Sequence, residues 1–278
     1  MIVDAHCHIW KRWPYEPRVP DPGRGAVKNL LWEMDQAGVD RAVLICAAIG
    51  GNDDNNLYAS EAASRSGGRL TAFVDVDSRW LASHQTHGAA ERLSRLVERF
   101  APSGLTHYMH EDADASWLNS PDGLDFLREA QTRRLLLSLA CGPAQIAEIA
   151  KAAARVPDLP ILLHHMLRLR AGDEEALGKA LAGAALPTLH VKLSGFGYGV
   201  EHGWDFPIAA MRPIVEALYT GFGAQRLLWG SDWPVSTRYL TYRQTLEILR
   251  SHCPFILEPE LRLILGGNME RLLAGTSP

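Results

Sequence analysis

Ile2-Val3-Asp4-Ala5-His6-Cys7-His8 is an apolar run that ends in two histidines one residue apart. Read as a β-strand, its period of two puts His6 and His8 on one face and Cys7 on the other. Both histidines stand at the strand's C-terminal end. Two imidazoles at this spacing reach one metal ion or one substrate oxygen. A lone His-x-His is weak evidence. Its place at the end of the first strand, behind Asp4, gives it weight.

Short apolar runs of the same kind recur along the chain. They predict further strands over Ala42–Ala47, Leu70–Val74, Leu105–Met109, Arg134–Leu139, Ile161–His165, His190–Ser194 and Leu227–Ser231. Amphipathic or Ala/Leu-rich stretches between them predict helices near Ala26–Ala37, Leu57–Ser66, Ala89–Phe100, Leu124–Gln131, Pro143–Arg155, Glu174–Ala184, Ile208–Gly221 and Tyr239–Ser251. A last helix is expected over about 258–273. Continuous apolar runs suit strands covered on both faces. Eight strands, each followed by a helix, fill the 278 residues as a single α/β domain, 1–278, with no second domain left over. That count fits a closed TIM (β/α)8 barrel better than a doubly wound sheet. In such a barrel the C-terminal strand ends carry the active site.

The net charge of −4 and the lack of any Lys/Arg tract exclude a nucleic-acid footprint. No uninterrupted apolar stretch approaches a membrane span. The first residues lack the basic region and cleavage site of a secretory signal, so a cytoplasmic enzyme is the expectation. Cys7, Cys46, Cys141 and Cys253 are widely spaced, with no CxxC, and read as reduced, buried thiols. The expected partner is a small molecule, and assembly into a homo-oligomer stays open.

Other chemistry-bearing residues fall at predicted strand ends. Leu227-Leu228-Trp229-Gly230-Ser231-Asp232-Trp233-Pro234 carries an apolar strand straight into an acid. Barrel closure would set this strand beside the first and bring Asp232 to His6 and His8. The bland alternative is a helix cap or a salt bridge. His164 and His165 end the sixth strand; alternation predicts that only one faces inward. On strand four, either Thr106, Tyr108 and His110 or His107, Met109 and Glu111 face the site. Lys192 is a candidate for an anionic oxygen or a structural ion pair. Trp10 and Trp233 are candidate pocket walls. Arg12, Arg79 and Arg238 are candidates to grip a carboxylate.

Taken together, these motifs resemble the amidohydrolase superfamily, and within it the amidohydrolase-related branch of sugar-acid, pyrone-dicarboxylate and sulfomuconolactone lactonases. The marks are Asp4-Ala5-His6-Cys7-His8-Ile9-Trp10, Leu163-His164-His165-Met166, Val191-Lys192-Leu193-Ser194-Gly195, Trp229 to Pro234 and Gly267-Asn268-Met269-Glu270-Arg271-Leu272. The resemblance implies a distorted TIM barrel. It implies His6, His8 and Asp232 as ligands of one divalent metal ion, zinc foremost, although some members of the branch work without metal. Asp232 is implied as general base and His165 as the inner-barrel histidine. His107, Lys192, Trp10 and Trp233 are expected to bind the substrate, a lactone that often carries carboxylates. Two departures stand out. Thr106 occupies the strand-four place where relatives carry a carboxylate-binding arginine, and strand five lacks the histidine of two-metal members. The expected reaction is lactone hydrolysis. A non-oxidative decarboxylase and a non-catalytic binding protein are the alternatives. Relatives of the decarboxylase kind carry an acid soon after the first histidines, where this chain has Ile9-Trp10.

Overall fold

Eight apolar runs become eight parallel strands, paired in sequence order from first to last. The computed structural model describes residues 1–15 and 23–276. The strands are β1 (Val3–Cys7), β2 (Arg41–Ile45), β3 (Leu70–Asp75), β4 (Gly104–Tyr108), β5 (Leu136–Ala140), β6 (Ile161–Leu163), β7 (Leu189–Leu193) and β8 (Leu227–Trp229). The helices that follow them are α1 (Val27–Ala37), α2 (Asn55–Ser64), α3 (Ala89–Phe100), α4 (Pro121–Thr132), α5 (Ile146–Ala153), α6 (Glu174–Ala182), α7 (Arg212–Phe222) and α8 (Tyr242–His252). This is the TIM barrel expected from the alternation of runs.

Local chemistry sets the helix ends. Gly38 takes φ 70° after α1, the left-handed conformation that glycine adopts without strain. Ser120, Asp173 and Thr241 each accept a backbone N–H at the start of α4, α6 and α8. The expected final helix is three pieces: α9 (Glu258–Arg262), a π turn over Leu263–Gly267, and α10 (Asn268–Ala274). A Cβ on Gly266 would lie 2.6 Å from the Met1 carbonyl oxygen, so the π turn packs directly under the start of β1.

Two apolar layers hold the barrel. Val3, Ala5, Val43, Ile45, Phe73, Leu136, Leu162 and Leu228 fill its interior. A larger layer, including Cys7, Leu44, Val74, Leu105 and Trp229, joins the strands to the helices. Each fully buried aliphatic or aromatic side chain contributes roughly 1.5–3 kcal/mol against the entropy of ordering the chain.

β1 departs from simple alternation. Asp4 pairs with Ala42 but Cys7 with Leu44, so β1 carries one residue more than β2 across this step. Such a bulge shifts the face that later residues present. Ala5 belongs to the interior and Cys7 to the outer layer, while His6 and His8 point inward. Asp4 turns toward the helices. Its Oδ1 accepts the backbone N–H of His6 at 3.0 Å and of Ser231 at 2.9 Å. Its Oδ2 accepts the Ser231 hydroxyl at 2.5 Å and the Tyr242 hydroxyl at 3.0 Å.

Closure of the barrel runs through the same place. The Asp232 N–H donates to the His6 carbonyl at 2.7 Å, and the His8 N–H to the Trp233 carbonyl at 2.6 Å. Just before these bonds the chains nearly touch: a Cβ on Gly230 would stand 2.7 Å from the His6 Cβ. Burial raises the Asp4 carboxyl to about 6, against the pull of its four donors. Its value to the fold is as the common acceptor of all four donors. Asp4→Ala strands buried donors on Ser231, Tyr242 and His6. It is expected to lower unfolding free energy by about 3 kcal/mol or more in a denaturant titration, with Asp4→Asn costing clearly less.

Candidate active site

His6, His8 and Asp232 meet at the C-terminal mouth of the barrel because β1 and β8 are closed against each other. The His6 and His8 Nε2 atoms lie 3.2 Å apart. Asp232 Oδ1 lies 3.3 Å from His8 Nε2 and 3.7 Å from His6 Nε2. His165 Nε2 stands 3.8 Å from the same oxygen. Asp232 takes φ 58°, a left-handed conformation rare outside glycine, as the chain leaves β8. Tyr198 donates its hydroxyl to Oδ2. Oδ1 is buried and has no hydrogen-bond partner.

Second contacts fix the rings. His8 Nδ1 donates to the Ile45 carbonyl at 2.7 Å, which fixes the ring with Nε2 turned toward Asp232. Trp10 is wholly buried and stacks on the His8 ring at 4.8 Å, with its indole N–H on the Ala47 carbonyl at 3.1 Å. His6 Nδ1 contacts Lys192 Nζ at 3.3 Å. Lys192 in turn donates to Ser138 Oγ at 2.6 Å, and that hydroxyl meets His164 Nε2 at 2.7 Å. These residues form a buried polar layer under the site.

The protonation states follow from burial. Burial and nearby Lys192 hold His6 and His164 well below the usual histidine range. Burial lowers His165 to about 4, and Lys192 to about 7. Burial pushes the Asp232 carboxyl up, but His165, His8 and Tyr198 outweigh it and leave it below its ordinary value. At neutral pH the ionised Asp232 carboxylate thus lies beside the uncharged imidazoles of His6 and His165, the state that metal ligation requires.

The donor set fits a metal ion. Two ligands of a tetrahedral ion, each about 2.0–2.1 Å from it, stand about 3.3–3.4 Å apart. The 3.2 and 3.3 Å separations at His8 agree with this. A buried carboxylate oxygen without a donor is costly unless something cationic or protic meets it. His6, His8 and Asp232 therefore form a group able to hold a metal ion. His6, His164 and His165 also bring three nitrogens together.

His164 and His165 correct the expectation that only one faces in. Their ring centres lie 4.5 and 4.4 Å from that of His6. β6 ends at Leu163, so strand alternation no longer applies. His165, Met166, Leu167 and Arg168 then run at φ 50°, 50°, 55° and 58°. Four left-handed residues in a row cost about 1 kcal/mol or more each and need packing to hold them. Met166 and Leu167 are fully buried and supply it.

Above the metal group opens a cleft of about 510 Å³. Its walls include Tyr15, Trp80, Tyr108 and Tyr198, with Arg79, Arg168, Arg170, Arg238 and Glu111 at its polar side. The residues expected to bind substrate do not line it. Trp10 lies behind His8, and Lys192 beneath His6. Trp233 faces a separate surface pocket with Arg24 and Trp32. His107 points to the outer layer, where Nδ1 donates to the Val76 carbonyl at 2.9 Å and the ring stacks between His84 and Trp117. On β4 it is Tyr108 that borders the cleft. Arg79 and Arg238 reach the cleft as expected, whereas Arg12 lies by Asn52 at another surface pocket. Tyr198, Arg168 and Arg170 were missed. The glycines around Phe196-Gly197-Tyr198 were the available signal for Tyr198.

With this geometry in view, comparison with known proteins is decisive. The family model for amidohydrolases (Amidohydro_2) matches residues 3–274. The chain belongs to the amidohydrolase family. It is 27% identical over 279 residues to L-fucono-1,5-lactonase of Burkholderia ambifaria, covering 96% of this chain and 93% of that one. An amidohydrolase from Burkholderia multivorans solved with bound Zn superposes with TM-score 0.79 at 20% identity, over 99% of each chain. A probable 2-pyrone-4,6-dicarboxylic acid hydrolase from Acinetobacter baumannii, solved with citric acid, gives TM-score 0.76 at 19% identity, over 98% of this chain and 99% of that one. These two structures bear on the fold of this amidohydrolase. Among its described residues, no helix is long and apolar enough to cross a membrane.

Two measurements follow. His8→Asn is expected to weaken binding of a divalent metal to chelator-stripped protein at least ~100-fold by calorimetry, with the folded state retained. His107 provides the second. Burial lowers it to about 4 from 6.5, so the folded state binds fewer protons than the unfolded one between those values. Its contribution is complete above pH 6.5 and is lost as pH falls toward 4. His107→Gln should flatten the stability-against-pH curve in that window by up to about 3 kcal/mol.

Proposed function

We propose that this amidohydrolase opens a small, polar lactone ring by hydrolysis, with one divalent ion, zinc foremost, at His6, His8 and Asp232. The observation that carries the reading is the donor-free Asp232 Oδ1, buried among three imidazole Nε2 atoms at the floor of a polar cleft. Two imidazoles and a carboxylate suit zinc. The 27% identity to an L-fucono-1,5-lactonase supports the substrate class.

A divalent ion bound there supplies Lewis acidity to a carbonyl or lowers the pKa of water. The chain's own groups do the rest. Asp232, ionised and held through Oδ2 by Tyr198, takes the proton of the attacking water. It returns that proton to the ring oxygen as the ester bond breaks. That bond from Tyr198 orients the carboxylate. His165 Nδ1 meets Ser194 Oγ at 2.9 Å. With that hydroxyl donating, the imidazole proton sits on Nε2, facing the place where the carbonyl oxygen gathers charge. Because His165 stays neutral down to about 4, it acts as a donor without neutralising Asp232. Tyr15, Trp80 and Tyr108 offer flat walls to a six-membered ring.

Asp232→Asn tests the reading directly. It keeps the shape and removes the base, so kcat for lactone opening should fall at least ~1000-fold. Ring opening is followed as acid release, alongside a parallel assay for carbon dioxide from aryl carboxylic acids. Undiminished turnover in the variant, or carbon dioxide release by the wild type, overturns it.

A further inference from the structure

Glu111 is a carboxylate placed where a substrate carboxylate would go. Its Oε1 accepts from Arg79 Nη1 at 3.1 Å and from Arg168 Nη1. All three side chains line the cleft that holds His8, His165 and Asp232. Three separate devices set them there. The Arg79 N–H donates to the Tyr108 carbonyl at 3.0 Å, tying it to the end of β4. Arg168 ends the left-handed turn that begins at His165. Glu111 stands on a turn whose two shoulders are held by one buried side chain: Gln145 Nε2 donates to the His110 carbonyl at 3.2 Å and the Ala113 carbonyl at 2.7 Å.

We infer that Glu111 is the specificity-determining residue of the cleft: it fills the carboxylate slot between Arg79 and Arg168 and so favours neutral, hydroxyl-bearing lactones over carboxylated ones. The inference rests on the lactone-hydrolase reading and goes beyond it to the substrate's charge.

The reason is competition. Glu111 is largely exposed, so each ion pair it makes is weak and can be exchanged. A carboxylate anchored on a neighbouring loop of the same chain acts at an effective concentration of roughly millimolar or higher. A substrate carboxylate present below that level gains nothing from the two arginines. A hydroxyl group meets a different surface. The arginines keep further N–H donors, and Glu111 accepts an O–H, so the trio reads a diol from both sides. Sites built to hydrogen-bond a substrate hydroxyl discriminate strongly for it. The side chains of Arg168 and Arg79 hold the Glu111 carboxyl below its ordinary value, which keeps it charged in this role.

A matched substrate pair tests this on the metal-loaded enzyme. D-Glucono-1,5-lactone and D-glucaro-1,5-lactone differ only in a C6 carboxylate. The wild type should prefer the neutral member. Glu111→Ala should raise kcat/KM for the charged member about tenfold and lower it several-fold for the neutral one, with Glu111→Gln moving both in the same directions. Glutarate, which cannot be hydrolysed, should bind Glu111→Ala about tenfold more tightly than wild type by calorimetry. An equal fall for both lactones marks a merely structural residue and overturns the inference. So does glutarate binding that is unchanged or weaker. Tighter glutarate binding with neither lactone turned over by any form upholds the slot and instead sinks the lactone-hydrolase reading.

Discussion

Asp4 joins the first strand to the last. Its two oxygens accept from Ser231, Tyr242 and the His6 backbone, and no water competes for them at full burial. The candidate site hangs on this contact. β1 carries His6 and leads into His8, β8 runs into Asp232, and the chains come together closely where Gly230 lets the His6 backbone in. The bulge in β1 does double duty. It sends Asp4 outward to hold the seam and turns both histidines inward to meet the acid brought by that seam.

The site above the seam is held by backbone conformations that ordinary strands and helices do not use. Asp232 is left-handed, and so are the four residues from His165 to Arg168. Left-handed residues resist formation unless the surroundings determine them. Here buried Met166 and Leu167 anchor the turn, while its first and last residues work. His165 faces the metal group, and Arg168 faces the cleft wall. An imidazole beside the His6, His8 and Asp232 group and a guanidinium on the cleft wall are thus mounted on one rigid piece of chain.

The strands were legible in the sequence because burial on both faces leaves a continuous apolar run, and all eight lie within about two residues of where those runs place them. The trio of His6, His8 and Asp232 was legible because barrel closure is a consequence of strand count. What failed to show were the departures from period two. Alternation puts Asp4 on the same face as His6, and the bulge removes it. Alternation also sends one of His164 and His165 outward, but β6 has already ended. The cleft wall was legible least. His107 follows β4 faithfully and for that reason faces the helices. Arg168, Arg170 and Tyr198 come from loops, whose positions follow from packing between distant segments and not from any local period.

The Asp4–Ser231 contact spans 227 residues of sequence. A ribosome adding roughly 5–20 residues per second takes about 10–45 s to cover that distance. For that whole interval the nascent chain carries His6 and His8 with no Asp232 to meet them and no seam to orient them. The group of His6, His8 and Asp232, brought together by barrel closure, is consequently among the last features to assemble during synthesis.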